Sequence, residues 1–508
     1  LVGSEMCIRD RPGALVNQAV AIQAPLQLAE DVFTKGFSQY TVTGQLGALV
    51  VEGAQVDVSM PVYRFGEHSQ GSATGSDAGA LELWTPPLYL ENAITGVLTQ
   101  RKGASLSLQA GNSHSTDAVA TQLHIDRGAR IAVDPGQAIS LQSIGQLTVD
   151  GTLQAWGGSI ELGQATSSTA STDAGSSVWL SETAVLDVAA RAATAVDAWG
   201  NTYGQVHNGG SIIIGNQTDH SDGNNDGMDL FVVVREGAVL DASGSSAVLN
   251  IAGQGTTAVA SHGGQISLSS LRGLYLDGEI RANAGGAGAA GGNLSISIGS
   301  GAARGTAPSR TNQIRELVVS QQKVDSLLPT DVTAAQAADS LVYGHAKIGV
   351  DQIESGAFDS LTLHSGGMIA FDGDVNLSMG QALNLYAGSL GLAEGAADSQ
   401  VRLAAPYIRL ASSFLNVGTG NARIDYLGMH YADRWMDITS HPLTGGLILD
   451  ASQLLEVRGG QGLGNGGQLT IGGELVVRPG FDHINLVSGG DLQFLSLIHI
   501  SEPTRLGM

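Results

Sequence analysis

Apolar residues alternate with polar ones in short runs along most of the chain, and a Gly-Gly pair opens many of these runs. The pattern appears as GGSIELG from Gly157, GGSIIIG from Gly209, GGQISLS from Gly263 and GGNLSISIG from Gly291. It returns as GGMIAF from Gly366, GGLILD from Gly445, GGQLTIG from Gly466 and GGDLQF from Gly489. A turn signal followed by a period of two predicts a β-strand with one face inward. Successive starts are 52, 54, 28, 75, 79, 21 and 23 residues apart, which reads as one, two or three turns of about 21–28 residues.

Two duplications support a repeating unit. Ala184-Val185-Leu186-Asp187-Val188 recurs as Ala238-Val239-Leu240-Asp241-Ala242, 54 positions on, the same interval that separates Gly209 from Gly263. A longer unit runs from Phe37-Ser38-Gln39-Tyr40-Thr41-Val42 through Val51-Glu52-Gly53 to Val56. It returns from Phe358-Asp359-Ser360-Leu361-Thr362-Leu363 through Phe371-Asp372-Gly373 to Val375.

These features predict an all-β fold, a β-solenoid of stacked turns. One turn cannot bury its inward face, whereas a stack makes a continuous core. Glycines are expected to supply the positive-φ corners, and the 12 prolines are few enough to leave the ladders intact. At about 21–28 residues per turn, some 17–23 turns and about 80–110 Å of rod are expected. Repeats occupy 12–299, with irregular loops near 60–95, and resume over 346–494. Between them, 300–345 reads as a loop and a short helical excursion around 313–342. There Arg315–Leu328 and Thr330–Val342 have helical apolar spacing, with Thr330 or Asp331 as the cap of the second helix.

Composition narrows the function classes. The 508 residues carry a net charge of −23, with no basic stripe to displace counterions from a phosphate backbone, so no nucleic-acid partner is expected. No apolar run reaches the ~18–20 residues of a transmembrane helix. The one cysteine, Cys7, excludes a disulfide framework.

Candidate chemistry is sparse. Asp222-Gly-Asn224-Asn-Asp226-Gly227 matches the opening of a calcium loop, with Asp229 as a further oxygen donor. Position 12 of such a loop falls on Val233, so an EF-hand is excluded; a partial Ca²⁺ site and a solvated turn both remain open. Ca²⁺ is the one cofactor for which the sequence offers ligands. Gly286-Ala-Gly288-Ala-Ala-Gly291 has dinucleotide-loop spacing but leads into a strand, so it reads as a small-residue turn. No histidine pair has zinc-protease spacing, and no serine sits in G-x-S-x-G. Asp150, Asp187, Asp241, Asp277, Asp372 and Asp450 each follow an apolar residue and precede a small one. Recurrence with the repeat favours strand-end caps over a catalytic carboxylate pair. No catalytic residue is assigned, and the chain is not expected to be an enzyme.

GAVLDASG (Gly237–Gly244) followed by GGQISLS, GQLTVDGTLQAWGGSIEL (Gly145–Leu162) and GAFDSLTLHSGGMIAFDGDVNL (Gly356–Leu377) together resemble filamentous-haemagglutinin-like exoproteins of bacterial two-partner secretion, over most of 30–494. The resemblance implies a right-handed parallel β-helix and a large secreted or cell-surface adhesin, of which this chain is an internal fragment. It also implies an outer-membrane transporter partner and a host-cell, glycan or matrix receptor, although no NPNG-type secretion motif is present. The alternative on the same fold is a β-helical polysaccharide lyase or glycoside hydrolase. LVGSEMCIRDR at 1–11 and SLIHISEPTRLGM within 495–508 resemble translated sequencing-adapter sequence and are read as non-native tails. Ligand contacts are expected in the loops 66–80 and 216–229.

Overall fold

In the computed structural model, residues 2–3, 26–66, 80–112, 115, 117, 119–165, 175–215, 228–299, 315–324, 326, 328–387, 389–412, 444–458, 470–471 and 480–495 are described. The chain winds as a parallel β-helix with three faces. One complete turn shows the plan: Ala138–Ser143 on the second face, Leu147–Val149 on the first and Thr152–Gln154 on the third. The next turn starts at Ser159–Gln164, and Ile139 pairs with Ile160 and Leu141 with Leu162 in parallel register.

Register converts the sequence alternation into a core. On the second face the inward column runs Leu106, Ile139, Ile160, Ile212, Ile266 and Leu294, all at most 1% exposed. Burying each such side chain stabilises the fold by roughly 1.5–3 kcal/mol before entropy is counted. Outward positions on the same strands carry Ser107, Ser140 and Ser295. At one end, the short 3-10 helix Glu30–Thr34 places Phe33 into the core against Tyr40, with ring centroids 5.7 Å apart.

The duplications are adjacent turns. Val185, Leu186 and Asp187 pair with Val239, Leu240 and Asp241. The two longer units each trace all three faces: Gln39–Gly44, Gly47–Val50 and Gln55–Val58 in one, Phe358–Ser365, Met368–Asp372 and Val375–Ser378 in the other.

Turn length differs from the sequence expectation. Ser159 pairs directly with Ser211, and Ser211 with Gln265, so the 52- and 54-residue intervals are single turns. Part of the extra length is antiparallel hairpins at the corner between the third and second faces, Ala192–Val196 with Thr202–Val206 and Ser246–Ile251 with Gly255–Ala260. The second face therefore stacks twelve strands along its path rather than 17–23 turns, about 55 Å among the described residues. The described residues near 60–95 likewise differ from the irregular loops expected there: they form two hairpins, Val62–Phe65 with Leu81–Trp84 and Tyr89–Asn92 with Val97–Gln100.

The role expected of the glycine pairs also needs correction. Gly158, Gly209, Gly210, Gly263, Gly264, Gly291 and Gly292 do not have positive φ. They are glycine because the turns stack too closely for a Cβ. One added at Gly158, Gly210 or Gly264 would lie 1.9, 2.1 or 1.9 Å from the carbonyl oxygen of Gln137, Gly158 or Gly210 on the preceding turn. Among the described residues, Gly157 (φ 60°) and Gly445 (φ 70°) are the pair members that do use the left-handed region. Nor does the signature mark one corner. Gly366-Gly367 leads onto the first face, and Gly445 onto Gly446–Arg458, a 13-residue strand whose two halves pair His483–Ser488 and Asp491–Leu495.

Within the predicted helical excursion, the described residues of Arg315–Leu328 form no helix: Glu316–Ser320 is a strand of the first face, paired with Met368–Asp372. Leu317 and Val319 are fully buried, and a β-branched run on a two-sided core outweighs the helical spacing. Among the described residues of this excursion, helical structure is confined to the 3-10 turn Ala334–Asp339, whose N-cap is Thr333 and not Thr330 or Asp331. Chain order then inverts: His345–Gly349 inserts between Gly273–Leu276 and Glu316–Ser320. The α-helix Val350–Ser355 follows and packs against Glu279–Arg281 and Val375–Ser378, so a helix occupies one level of the third face.

Residues 328–343 form a strap over the outside of the first face. There Trp179, Phe231, Val233 and Tyr275 would otherwise present a bare apolar surface; Leu328, Ala337 and Leu341 cover them. The Val342 amide donates to the Tyr275 hydroxyl at 2.6 Å, and Arg235 donates to the Pro329 carbonyl at 2.7 Å while lying over Trp179. Beneath the strap, burial and the nearby Lys347 push the His345 pKa down to about 4.

Three outcomes are expected. Gly264→Ala should destabilise the protein by about 3 kcal/mol in urea titrations, against about 1 kcal/mol for Gly53→Ala, where φ is +73° and no atom lies within 4 Å. Equal losses would contradict close stacking as the reason for the pairs. Leu341→Ala should cost about 2 kcal/mol locally and accelerate amide exchange over 328–342, leaving second-face amides protected. Between pH ~6.5 and 4 the unfolded state binds a proton at His345 that the folded state does not, so this contribution to stability is present above pH ~6.5 and is lost as the pH is lowered towards 4. His345→Gln should remove that component, at most about 3 kcal/mol, from the pH dependence of the urea midpoint.

Candidate functional site

Two places combine shape with polar chemistry. The first is the corner at which the chain enters the second face. Stacked pairs Gly157-Gly158, Gly209-Gly210, Gly263-Gly264 and Gly291-Gly292 remove side chains from four consecutive turns and leave an open cavity of about 570 Å³. Backbone hydrogen bonds close its floor, Gly210 N–H to Val188 O at 2.9 Å and Gly264 N–H to Ala242 O at 2.7 Å. Ser211, Gln265, Asn293 and Ser360 stand on its rim in one register column, about 4.8 Å apart. Asn208 and His262 brace the rim: the His262 amide donates to Asn208 Oδ1 at 3.0 Å, and the Ala290 amide to His262 Nδ1 at 2.8 Å. The lining is amide, hydroxyl, imidazole and backbone, and Asp359 stands beside it, its Oδ2 accepting from the Gly291 amide at 2.7 Å. Such a groove offers hydrogen bonds to a hydroxyl-rich chain.

The second place lies where the first face turns into the third. Strand Gln122–Ile125 buries Leu123 and Ile125, so His124 points outward, and Asp126 follows at the corner. Leu123 pairs with Leu147 and Ile125 with Val149, which brings Asp150 to the same corner one turn on. His124 Nε2 lies 2.6 Å from Asp150 Oδ2, and Nδ1 lies 3.4 Å from Asp126 Oδ1. The hydrogen bond to Asp150 raises the His124 pKa, against the effect of burial. Burial alone would raise Asp150, but hydrogen bonds from His124 and Ser181 outweigh it and hold this carboxyl below its ordinary range.

Two of the six recurring aspartates cap strand ends. Asp187 Oδ1 accepts from the Ala189 amide at 3.0 Å and Asp241 Oδ1 from the Ser243 amide at 2.9 Å. Asp277 accepts from the Ser326 amide and so anchors the chain leading into the strap. Asp372 closes a first-face strand. Asp450 departs from the pattern: it lies inside Gly446–Arg458 and pairs with Arg402. Asp187 and Asp241 are neighbours in register, yet each is committed to a guanidinium, Arg191 and Arg281, at 3.0 Å. Burial pushes Asp241 up, but Ser243 and Arg281 outweigh it and hold it below its ordinary range, the reverse of what a glycosidic general acid needs.

The calcium candidates Asp222, Asn224 and Asp226 lie outside the described residues, as do nearly all of the loops 66–80 and 216–229. Asp229 pairs with the buried Arg272, Nε to Oδ1 2.9 Å. The groove and the His124 corner escaped sequence reading because both depend on register. His124 and Asp150 are 26 residues apart, and only the turn length between them sets them on one corner.

No protein-family model, curated protein or solved structure matches this chain.

Proposed function

We propose that the chain is the rod of a large secreted or surface-displayed bacterial adhesin, mediating attachment to cells, matrix or biofilm through hydroxyl-rich glycans. The supporting observation is the polar groove of stacked glycine corners, whose rim repeats Ser211, Gln265, Asn293 and Ser360 at one spacing. A ligand with its own repeat would meet several weak hydrogen-bonding sites at once, and the affinities of linked contacts multiply. Groups presented on packed strands are held in place before binding, which lowers the ordering cost. Export through an outer-membrane transporter belongs to the same reading and rests on the resemblance alone. Among the described residues no helix is long and apolar enough to cross a membrane.

The test uses the full chain, checked for folding by circular dichroism, on immobilised neutral and acidic polysaccharides, with polymer length followed in parallel. Binding to neutral polymers that changes little with salt is expected, with chain length unchanged. Gln265→Ala with Asn293→Ala should weaken it at least fivefold without altering the spectrum. Shortening of any polymer would favour the lyase or hydrolase alternative, and undiminished binding by the double variant would move the site elsewhere.

A further inference from the structure

We propose that His124, Asp126 and Asp150 form a binding site for a divalent transition metal of the Zn²⁺ class that staples two successive turns of the solenoid. Register stacks Asp126 and Asp150 on one corner, and two like charges so placed repel each other. A positive group between them relieves that repulsion, and the outward imidazole of His124 is placed to bring one. The three candidate donor atoms lie within 4.8 Å of one another.

The two sides of the ring have different tasks. Nε2 shares a proton with Asp150 at 2.6 Å, while Nδ1 faces Asp126 at 3.4 Å without a hydrogen bond; once a cation displaces the shared proton, the ring keeps its proton on Nδ1, toward Asp126, and offers the Nε2 lone pair on the Asp150 side. An imidazole oriented by a carboxylate on its far nitrogen is the usual outer support of a metal ligand. Nε2 and Asp150 are then the metal ligands, one from each turn, and Asp126 is a positioning residue. Metal–ligand distances of about 2.0–2.2 Å require the Nε2–Oδ2 separation to open from 2.6 Å to about 3 Å, as the cation takes the place of the shared proton. Side-chain exposures of 39%, 30% and 25% leave one side open for water to complete the coordination.

The surroundings suit this role. Ser181, on the turn beyond, hydrogen-bonds Asp150, and the Thr183 hydroxyl donates to the Asp150 carbonyl at 2.7 Å, fixing the ligand from behind. Arg127, the nearby cation, is engaged by Glu182 at 3.1 Å. Two carboxylates and a neutral imidazole carry a charge of −2, matched by a divalent ion. One nitrogen and so few oxygens favour Zn²⁺ over Ca²⁺, which takes six to eight oxygen ligands. A cross-link between turns in a chain with one cysteine does the work that a disulfide does elsewhere.

The experiment titrates the full chain with Zn²⁺ by calorimetry at pH 7 and records thermal melts with Zn²⁺ and with EDTA. Wild-type protein is expected to bind one more equivalent than His124→Ala or Asp150→Asn, and its Zn²⁺-dependent rise in Tm should vanish in both. Asp126→Asn should keep the equivalent at about tenfold weaker affinity, since an amide oxygen still accepts from Nδ1–H. The readout is the Zn²⁺-induced shift of each variant against its own EDTA melt, so a general loss of stability does not imitate it. Equal stoichiometry and equal shifts in wild type and both ligand variants would overturn the proposal and leave a proton-bridged histidine–aspartate pair at this corner. Ca²⁺ binding with the same dependence on His124 would overturn the choice of metal.

Discussion

Stacking of successive turns at the separation of parallel strands, about 4.8 Å, is the constraint from which the other features follow. It leaves no room for a Cβ where the chain crosses onto the second face, since a methyl at Gly210 or Gly264 would sit inside the carbonyl of the turn below. It repeats every inward position as a column, so Leu106 through Leu294 form one continuous core. It also repeats every outward position. Polar ladders such as Gln154, Asp187, Asp241 and Arg281 on the third face are therefore forced into contact and must be arranged so that their charges offset.

Among the described residues, extra chain leaves the coil as hairpins without breaking the register of the stacked faces. Hairpins emerge at the corner between the third and second faces and dock on one another: the Ala198 amide donates to Ala93 O at 2.9 Å, and Gln205 Nε2 to Leu98 O at 2.8 Å. A lone two-stranded ribbon is marginal in water, and joining three of them supplies the missing support. The strap solves a different problem. Trp179, Val233 and Tyr275 give three turns of the first face an apolar exterior, and residues 328–343 turn that exterior into a second, smaller core.

Both polar places arise from the same geometry. Removing side chains from a corner for the sake of stacking leaves a groove, and stacking another corner brings charged residues together that are remote in sequence. The groove repeats its polar groups and the His124 corner gathers three side chains in one local arrangement, so the shape of the first suits an extended polymer and that of the second a single ion.

The sequence by itself determined the class of fold, because a period of two with Gly-Gly punctuation has one economical solution, a stack of short strands. It also identified adjacent copies: the 54-residue duplication at Ala184 and Ala238 is a pair of neighbouring turns. It could not determine how many turns exist, since a 52-residue interval is the same string whether it makes two turns or one turn carrying a hairpin, and only the pairing of Ser159 with Ser211 decides. It misread Glu316–Ser320 because helical and strand periods are indistinguishable over five apolar-rich residues, and burial on both sides settled the matter. Asp150 was legible as a recurring corner acid, but its partnership with His124 was not. Residues that meet across turns are joined by register, and register is a property of the packed stack rather than of any segment within it.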